Sequence, residues 1–273
     1  MTMDQINVCI TGSDGFIGSH LLDQIKQYPQ YNPVIFAGDL LKKEDVDSFF
    51  AKHKIDQTIF LVGSFFGDIN SLIDLNVTTL ANYLEAATKI AGHKIIYTST
   101  GAVYGEPLHA LSVESDPILP NTEYGFCKKT SEELIQYYHR MTGMDFVILR
   151  FPNVFGPHNA KGVVYSFLKD IQERGSITIF GDGNQSRNFL HVDDACEAIV
   201  KSLDYAGSDV FNISNSKKTT LNDLVDIFKQ EFQFTVEYQP QNNNLRDLLL
   251  NTDKAKVKLG FEANRTINVK ELQ

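Results

Sequence analysis

A chain of 273 residues, 42% hydrophobic and 22% charged, can bury a sizeable core as one large domain or as a domain with a smaller lobe. Its net charge of -9, with no Lys/Arg run, argues against nucleic-acid binding, and no apolar stretch approaches the length of a membrane span. The scattered cysteines Cys9, Cys127 and Cys196 have no metal-ligand spacing and the start has no basic-then-apolar leader, so a reduced, cytoplasmic setting without a metal site is expected.

In chain order, short β-rich runs alternate with helical patterns. "INVCIT" (Ile6–Thr11) reads as a strand, then come glycines and the helix "SHLLDQIKQY". "PVIFAG" (33–38) is the next strand, before a helix with Val46, Phe49 and Phe50 on one face. "TIFLVG" (58–63) precedes a helix over about 76–91, "HKIIYTS" (93–99) precedes the helix carrying Tyr124, and "DFVILRF" is a fifth strand. This rhythm predicts an α/β fold of Rossmann type, a doubly wound parallel sheet covered on both faces, with a smaller α/β lobe. After Pro152 the pattern loosens: "NVFGPHNAKG" reads as a loop, "VVYSFLKDIQERG" as a helix and "SITIFGDG" as a strand and turn. "FLHVDDACEAIVKSL" suggests a return to the main domain through an Asp-capped helix, then "DVFNIS" as a strand and a tail of helix, strand, polar loop and final helix. The expected division is 1–156 with 187–215 as the nucleotide-binding domain, and 157–186 with 216–273 as the lobe.

"TGSDGFIG" sets Gly12, Gly15 and Gly18 between the first strand and the first helix. In a dinucleotide site these glycines permit the tight turn, the approach of a pyrophosphate and close helix–strand packing, while the helix N-terminus faces the phosphates. Asp39, ending "VIFAGD", stands at the spacing of a ribose-binding acid; the alternative is a helix cap.

From this point the chain resembles the extended short-chain dehydrogenase/reductase family, in its nucleotide-sugar epimerase/dehydratase branch. The resemblance rests on "TGSDGFIG", "LNVTTLANYLEAA", "STGAVYGE", "YGFCKKTSEEL", "LRFPNVFGP", "IFGDGNQSRNFLHVDDACEAI" and "NTDKAKVKLGF", in order and nearly end to end. A tyrosine four residues before a lysine arises by chance about once in such a chain, so the ordered set carries the weight. The resemblance implies a catalytic set of Thr100, Tyr124 and Lys128. It also implies cofactor contacts from Gly12, Asp14, Gly15, Phe16, Ile17, Asp39, Leu40 and Val62 beside Tyr124 and Lys128. Thr100, Asn153, Arg187 and Arg246 would contact a nucleotide-diphosphate sugar; for Arg187 the alternative is an ion pair with Asp193 or Asp194. The cofactor implied is NAD, with NADP as the alternative, and relatives pair as homodimers through the helices spanning 76–91 and 124–140.

Tyr124 and Lys128 share one helix face. An ammonium about 4 Å from a phenolate, at an effective dielectric of ~20, favours the anion by about 4 kcal/mol, roughly three pKa units. That would turn an ordinary tyrosine into a base usable near neutrality. Thr100 would hold the substrate oxygen; read alone, it is an ST-turn at a strand end.

Gly101 and Ala102 follow Thr100 where dehydratase relatives carry an Asp–Glu pair, which argues against a 4,6-dehydratase, and the residues of glucuronate decarboxylases are missing as well. Only "VIFAGDL" stands where most relatives have two strands, a shortening that resembles the 4-keto-sugar reductases. The leading expectation is therefore reduction of a nucleotide-linked 4-keto-(6-deoxy)hexose, with C4 epimerisation as the alternative and a non-catalytic dinucleotide-binding protein below both. Phe65 and Phe66 are expected in the core rather than the sugar pocket, and His158 to be a loop histidine without a role.

Overall fold

The structure, a computed structural model, describes residues 5–240 and 247–272. The first half of the chain runs β1 (Ile6–Thr11), α1 (Phe16–Ile25), β2 (Tyr31–Ile35), α2 (Lys43–Lys52), β3 (Gln57–Phe60), α3 (Ile69–Ile73), α4 (Thr79–Ala87), β4 (Lys94–Thr100), α5 (Glu123–Thr142) and β5 (Asp145–Phe151). Then follow β6 (Asn153–Phe155), α6 (Gly162–Arg174), β7 (Ser176–Phe180), β8 (Ser186–Arg187), β9 (Phe189–His191), α7 (Val192–Asp204), β10 (Asp209–Asn212), β11 (Thr219–Thr220), α8 (Leu221–Lys229) and β12 (Thr235–Gln239).

Six parallel strands form the central sheet in the order β10-β5-β4-β3-β1-β2. Both faces are covered, which is why the middle strands read as apolar runs without alternation. On one face α1 (Leu21, Ile25) and α7 (Cys196, Ile199, Leu203) pack with Ala255, Leu259 and Phe261 of the tail. On the other, α2, α4 and α5 contribute Val46, Phe49, Leu80, Tyr83, Leu84 and Ile135. A third cluster joins α6, β7 and α8 through Phe167, Ile171, Ile177, Ile179, Leu224 and Phe228, with Phe155 and Phe189.

The strand order reverses between β1 and β3, so a crevice opens at their carboxyl ends, the place where open α/β sheets take ligands. A single strand, β2, lies outside β1, in keeping with the shortened segment before "GDL". Pro33 sits within β2 at no cost to the sheet, because an edge strand need not donate on both sides.

Three expectations need correction. The segment from Asn153 is not all loop: residues 153–155 form β6, which pairs in parallel with β9. The helix expected over 76–91 begins at Ile69 and passes through a π-helical turn, Asp74–Thr78, before continuing as α4. Helix α7 is capped by His191, whose Nδ1 accepts the Asp193 N–H; Asp193 and Asp194 fall in its first turn, where their charge suits the helix dipole.

Candidate active site

Gly12 leaves β1 at φ +68, a left-handed turn that a side chain would strain, and a Cβ there would meet Val62 Cγ2 at 3.3 Å. Gly15 caps α1 with no side-chain bond to the first-turn N–H groups, and no acid occupies that turn, so the helix start remains disposed towards an anion. Asp14 is exposed, while Phe16 and Ile17 lean onto the core face of α1. A Cβ on Gly18 would fall 2.1 Å from the Gly12 carbonyl oxygen, so helix and loop can touch only through glycine.

Asp39 lies beyond β2. Its Oδ1 accepts the Leu41 N–H at 2.9 Å and its Oδ2 stands 3.7 Å from Lys42 Nζ, which makes an Asx-turn. It does not cap α2, whose N-cap is Lys42. Leu40 is buried, its carbonyl held by Asn82 Nδ2 at 3.0 Å.

Helix α5 begins under a Thr122 cap and ends at Gly143 in the left-handed conformation, so Tyr124 and Lys128 sit in its first two turns. Thr100 ends β4, and its hydroxyl accepts the Ala102 N–H at 3.2 Å in the ST-turn anticipated for it, which leaves its own proton to donate. Tyr124 and Thr100 are brought together. Burial pushes the Tyr124 phenol up to about 12, with the Thr100 hydroxyl opposing. The expected acidification of Tyr124 by Lys128 is therefore absent from this arrangement. The Lys128 ammonium lies 4.2 Å from the centroid of the Tyr97 ring, and burial lowers its pKa to about 7, opposed by the Glu132 carboxylate.

Among the described residues Lys128 Nζ has no hydrogen-bond or ion-pair partner, although the side chain is buried. Beside it is Asn76, in the π-helical turn. Its Nδ2 donates to the Ser64 and Leu72 carbonyls, both at 2.8 Å, and its buried Oδ1 accepts nothing. A Cβ on Gly63 would lie 2.7 Å from Asn76 Oδ1 and 3.7 Å from Lys128 Nζ. An acceptor buried without a partner, at a cost of roughly 1–3 kcal/mol, and an ammonium without a hydrogen bond thus meet at one glycine. Hydroxyls of a ribose can satisfy both, so these residues fit a dinucleotide.

Behind the set, Ser99 Oγ donates to Glu132 Oε1 at 2.5 Å, and Arg150 holds the same carboxylate through Nε at 3.1 Å and Nη2 at 2.7 Å. Arg150 Nη1 donates to the Tyr104 hydroxyl, which donates in turn to Asn212 Oδ1, both at 2.8 Å. A buried pair satisfied this fully is rigid. It fixes Ser99 next to Thr100 and Glu132 one turn beyond Lys128. Sequence reasoning missed Asn76, Glu132 and Arg150. The available signals were an amide within the apolar run "DLNVTTL" and an acid four residues after Lys128.

Asn153 opens β6 with an exposed side chain, in register with Phe189. Arg187 lies in β8; its Nη1 donates to the Ser186 carbonyl at 2.7 Å. The ion pair weighed for it is not formed. Arg265 takes both acids instead, by pairing with Asp194 and standing 3.7 Å from Asp193. Arg246 lies outside the described residues. A cavity of about 160 Å³ lined by Phe155, Asn215, Lys217 and Arg265 holds none of the residues expected to be catalytic.

Phe65 and Phe66 are not core residues; they stand 47% and 57% exposed, and the Phe65 ring meets the Tyr124 ring at 6.0 Å. They lie on the turn "SFFGD", which follows β3 at the crevice. His158 adopts φ +62, its ring 6.3 Å from that of His20.

The chain is similar over nearly its whole length to a putative UDP-glucose 4-epimerase of Methanocaldococcus jannaschii, 30% identical and covering 97% of this chain and 95% of that protein. Among solved structures, the UDP-glucose 4-epimerase of Thermotoga maritima with UDP-glucose superposes with TM-score 0.87 at 26% identity, covering 96% of this chain and 94% of that one. The UDP-glucuronic acid 4-epimerase of Bacillus cereus, in complex with UDP-glucuronic acid and NAD, gives 0.85 at 25% identity, covering 97% and 95%. Residues 8–214 match the model of the NAD dependent epimerase/dehydratase family, and the chain belongs to that family.

Proposed function

We propose that this enzyme interconverts UDP-hexoses that differ in configuration at C4, keeping NAD bound through the cycle. The observation that carries the reading is the meeting of Thr100 and Tyr124 beside the Lys128 ammonium, which has no hydrogen bond, and the unsatisfied Asn76 Oδ1, at the crevice of a chain similar end to end to a putative 4-epimerase. When bound, NAD supplies a hydride acceptor that also returns the hydride.

In this reading Thr100, oriented by the Ala102 N–H, donates to the C4 oxygen of the sugar. Tyr124 takes the proton of that hydroxyl as C4 becomes a ketone, and gives it back when C4 is reduced on the other face. A phenol near 12 stays protonated at neutral pH and so cannot take this proton by itself. Ribose hydroxyls accepting from Lys128 would offset its burial and keep it charged, and the charge would then draw the phenol down. The base is armed only when the site is filled. Asn153, Arg187 and Arg246 would hold the diphosphate. Residues 1–156 with 187–215 would carry the cofactor, and 157–186 with 216–273 the sugar nucleotide. Asp14 and Asp39 disfavour a 2′-phosphate and so favour NAD over NADP.

The reductase expectation draws on the single strand outside β1, which suits cofactor exchange. The relatives named above support the epimerase instead. Incubation with UDP-glucose and no added cofactor should yield UDP-galactose to equilibrium. Stoichiometric consumption of NADH with a 4-keto sugar, and no interconversion, would instead carry the reductase.

A further inference from the structure

Three side chains from two parts of the chain converge beside Tyr124. Phe65 and Phe66, on the turn after β3, stack with ring centroids 4.2 Å apart, and Phe65 faces Tyr124 at 6.0 Å and 61°. Lys161, the N-cap of α6, lays its ammonium 4.9 Å from the Phe66 centroid and 5.2 Å from that of Phe65. Among the described residues no carboxylate pairs with Lys161. Two large rings facing water, one of them against the Tyr124 ring, are surface waiting to be covered. The cation above them is held by its attraction to the ring faces, worth about 0.5–1 kcal/mol when exposed and more once water leaves.

We propose that Phe65, Phe66 and Lys161 form the wall of the subsite for the C5–C6 end of the hexose, and that this wall selects a nucleotide-linked hexuronate over a neutral hexose. The inference rests on the C4-epimerase reading, which sets the sugar's C4 oxygen at Tyr124. Carbon C5 is bonded to C4 and carries C6, so a C6 substituent leaves the ring within reach of the neighbouring side chains. The rings cover an apolar face of the sugar, and Lys161 pairs with the C6 carboxylate. Closing the same wall over a hydroxymethyl group would strip water from the ammonium and offer no counter-charge, which penalises the neutral sugar. The other anion of the substrate, the diphosphate, already has Asn153 and Arg187 in this reading.

Binding to the NAD-loaded enzyme by calorimetry tests the wall, in a Tyr124→Phe background that prevents turnover, with UDP, UDP-glucose and UDP-glucuronate as ligands. UDP-glucuronate should bind about tenfold more tightly than UDP-glucose, a difference of about 1.4 kcal/mol. Lys161→Gln should bring that ratio to about one, and Phe65→Leu with Phe66→Leu should weaken both sugars relative to UDP. The exposed positions of all three residues make these variants safe for folding. Equal affinity for the two sugars overturns the proposal. So does a Lys161→Gln loss as large for UDP as for UDP-glucuronate, because the cation would then serve the diphosphate. Turnover by the unsubstituted enzyme separates the two claims. Preferential binding without epimerisation of either sugar would refute the C4 reading and leave the wall; epimerisation without preference would do the reverse.

Discussion

Lys128 concentrates the energetics of the site in one side chain. An ammonium in a buried side chain, met by the Tyr97 ring and the Glu132 charge but by no hydrogen bond, is a cost to the folded chain, and its pKa near 7, against 10.5 for an ordinary lysine, expresses that cost. Because the folded value is the lower one, the unfolded chain binds more protons between about pH 7 and pH 10.5, and this group's penalty fades as pH rises through that window. Lys128→Met should therefore raise the melting temperature of the cofactor-free protein at pH 6–7, by about 2–4 °C for each kcal/mol recovered. The gain should shrink towards pH 10, and activity should be lost throughout. A destabilised variant at pH 6 would mean that the Tyr97 ring and the Glu132 carboxylate outweigh the cost of burial. Lys94 shows the contrast: its buried ammonium donates to the Ser202, Leu203 and Tyr205 carbonyls at 2.6, 3.0 and 2.5 Å, which marks it as structural.

At the scale of elements, the contact between α1 and the glycine loop carries the cofactor end of the site. A Cβ at position 18 would overlap the Gly12 carbonyl and lie 2.7 Å from Ser13 Cα, both backbone atoms that cannot swing aside. Gly18→Ala should push α1 off the loop, cost roughly 1–3 kcal/mol of stability and weaken NAD binding by at least about tenfold. Thermal shift with and without NAD reads both effects, and an unaltered NAD-induced shift would contradict this account. The same contact shows why so much was legible in advance. Glycine spacing and the period of the apolar residues report local backbone and burial, and they placed β1, β4, β5 and the helix of Tyr124 within a residue or two. What they could not report depends on partners distant in sequence. β6 exists only because β9 lies beside it, and the exposure of Phe65 and Phe66 depends on what the rest of the chain packs over the end of β3. The Tyr124–Lys128 spacing was visible, but its electrostatics were not. The ammonium turned to Tyr97, and burial disfavours the charge expected to acidify the phenol.

At the scale of the whole molecule, α5 leaves Phe126, Tyr137 and Met141 exposed at spacings of eleven and four residues, a continuous helical face on the outside of the sheet layer. The homodimer expected through this helix and the one spanning 76–91 would cover it. Sedimentation should give twice the chain mass, and Met141→Glu should give a monomer that keeps its fold; a monomeric parent protein would remove the proposal. The central claim, that one enzyme-held hydride leaves C4 and returns to it, is tested most directly with UDP-glucose deuterated at C4. UDP-galactose should retain the deuterium at C4, with none passed to solvent or to free nicotinamide. Loss of the label to the medium, or its appearance on dissociated NADH, would contradict that claim.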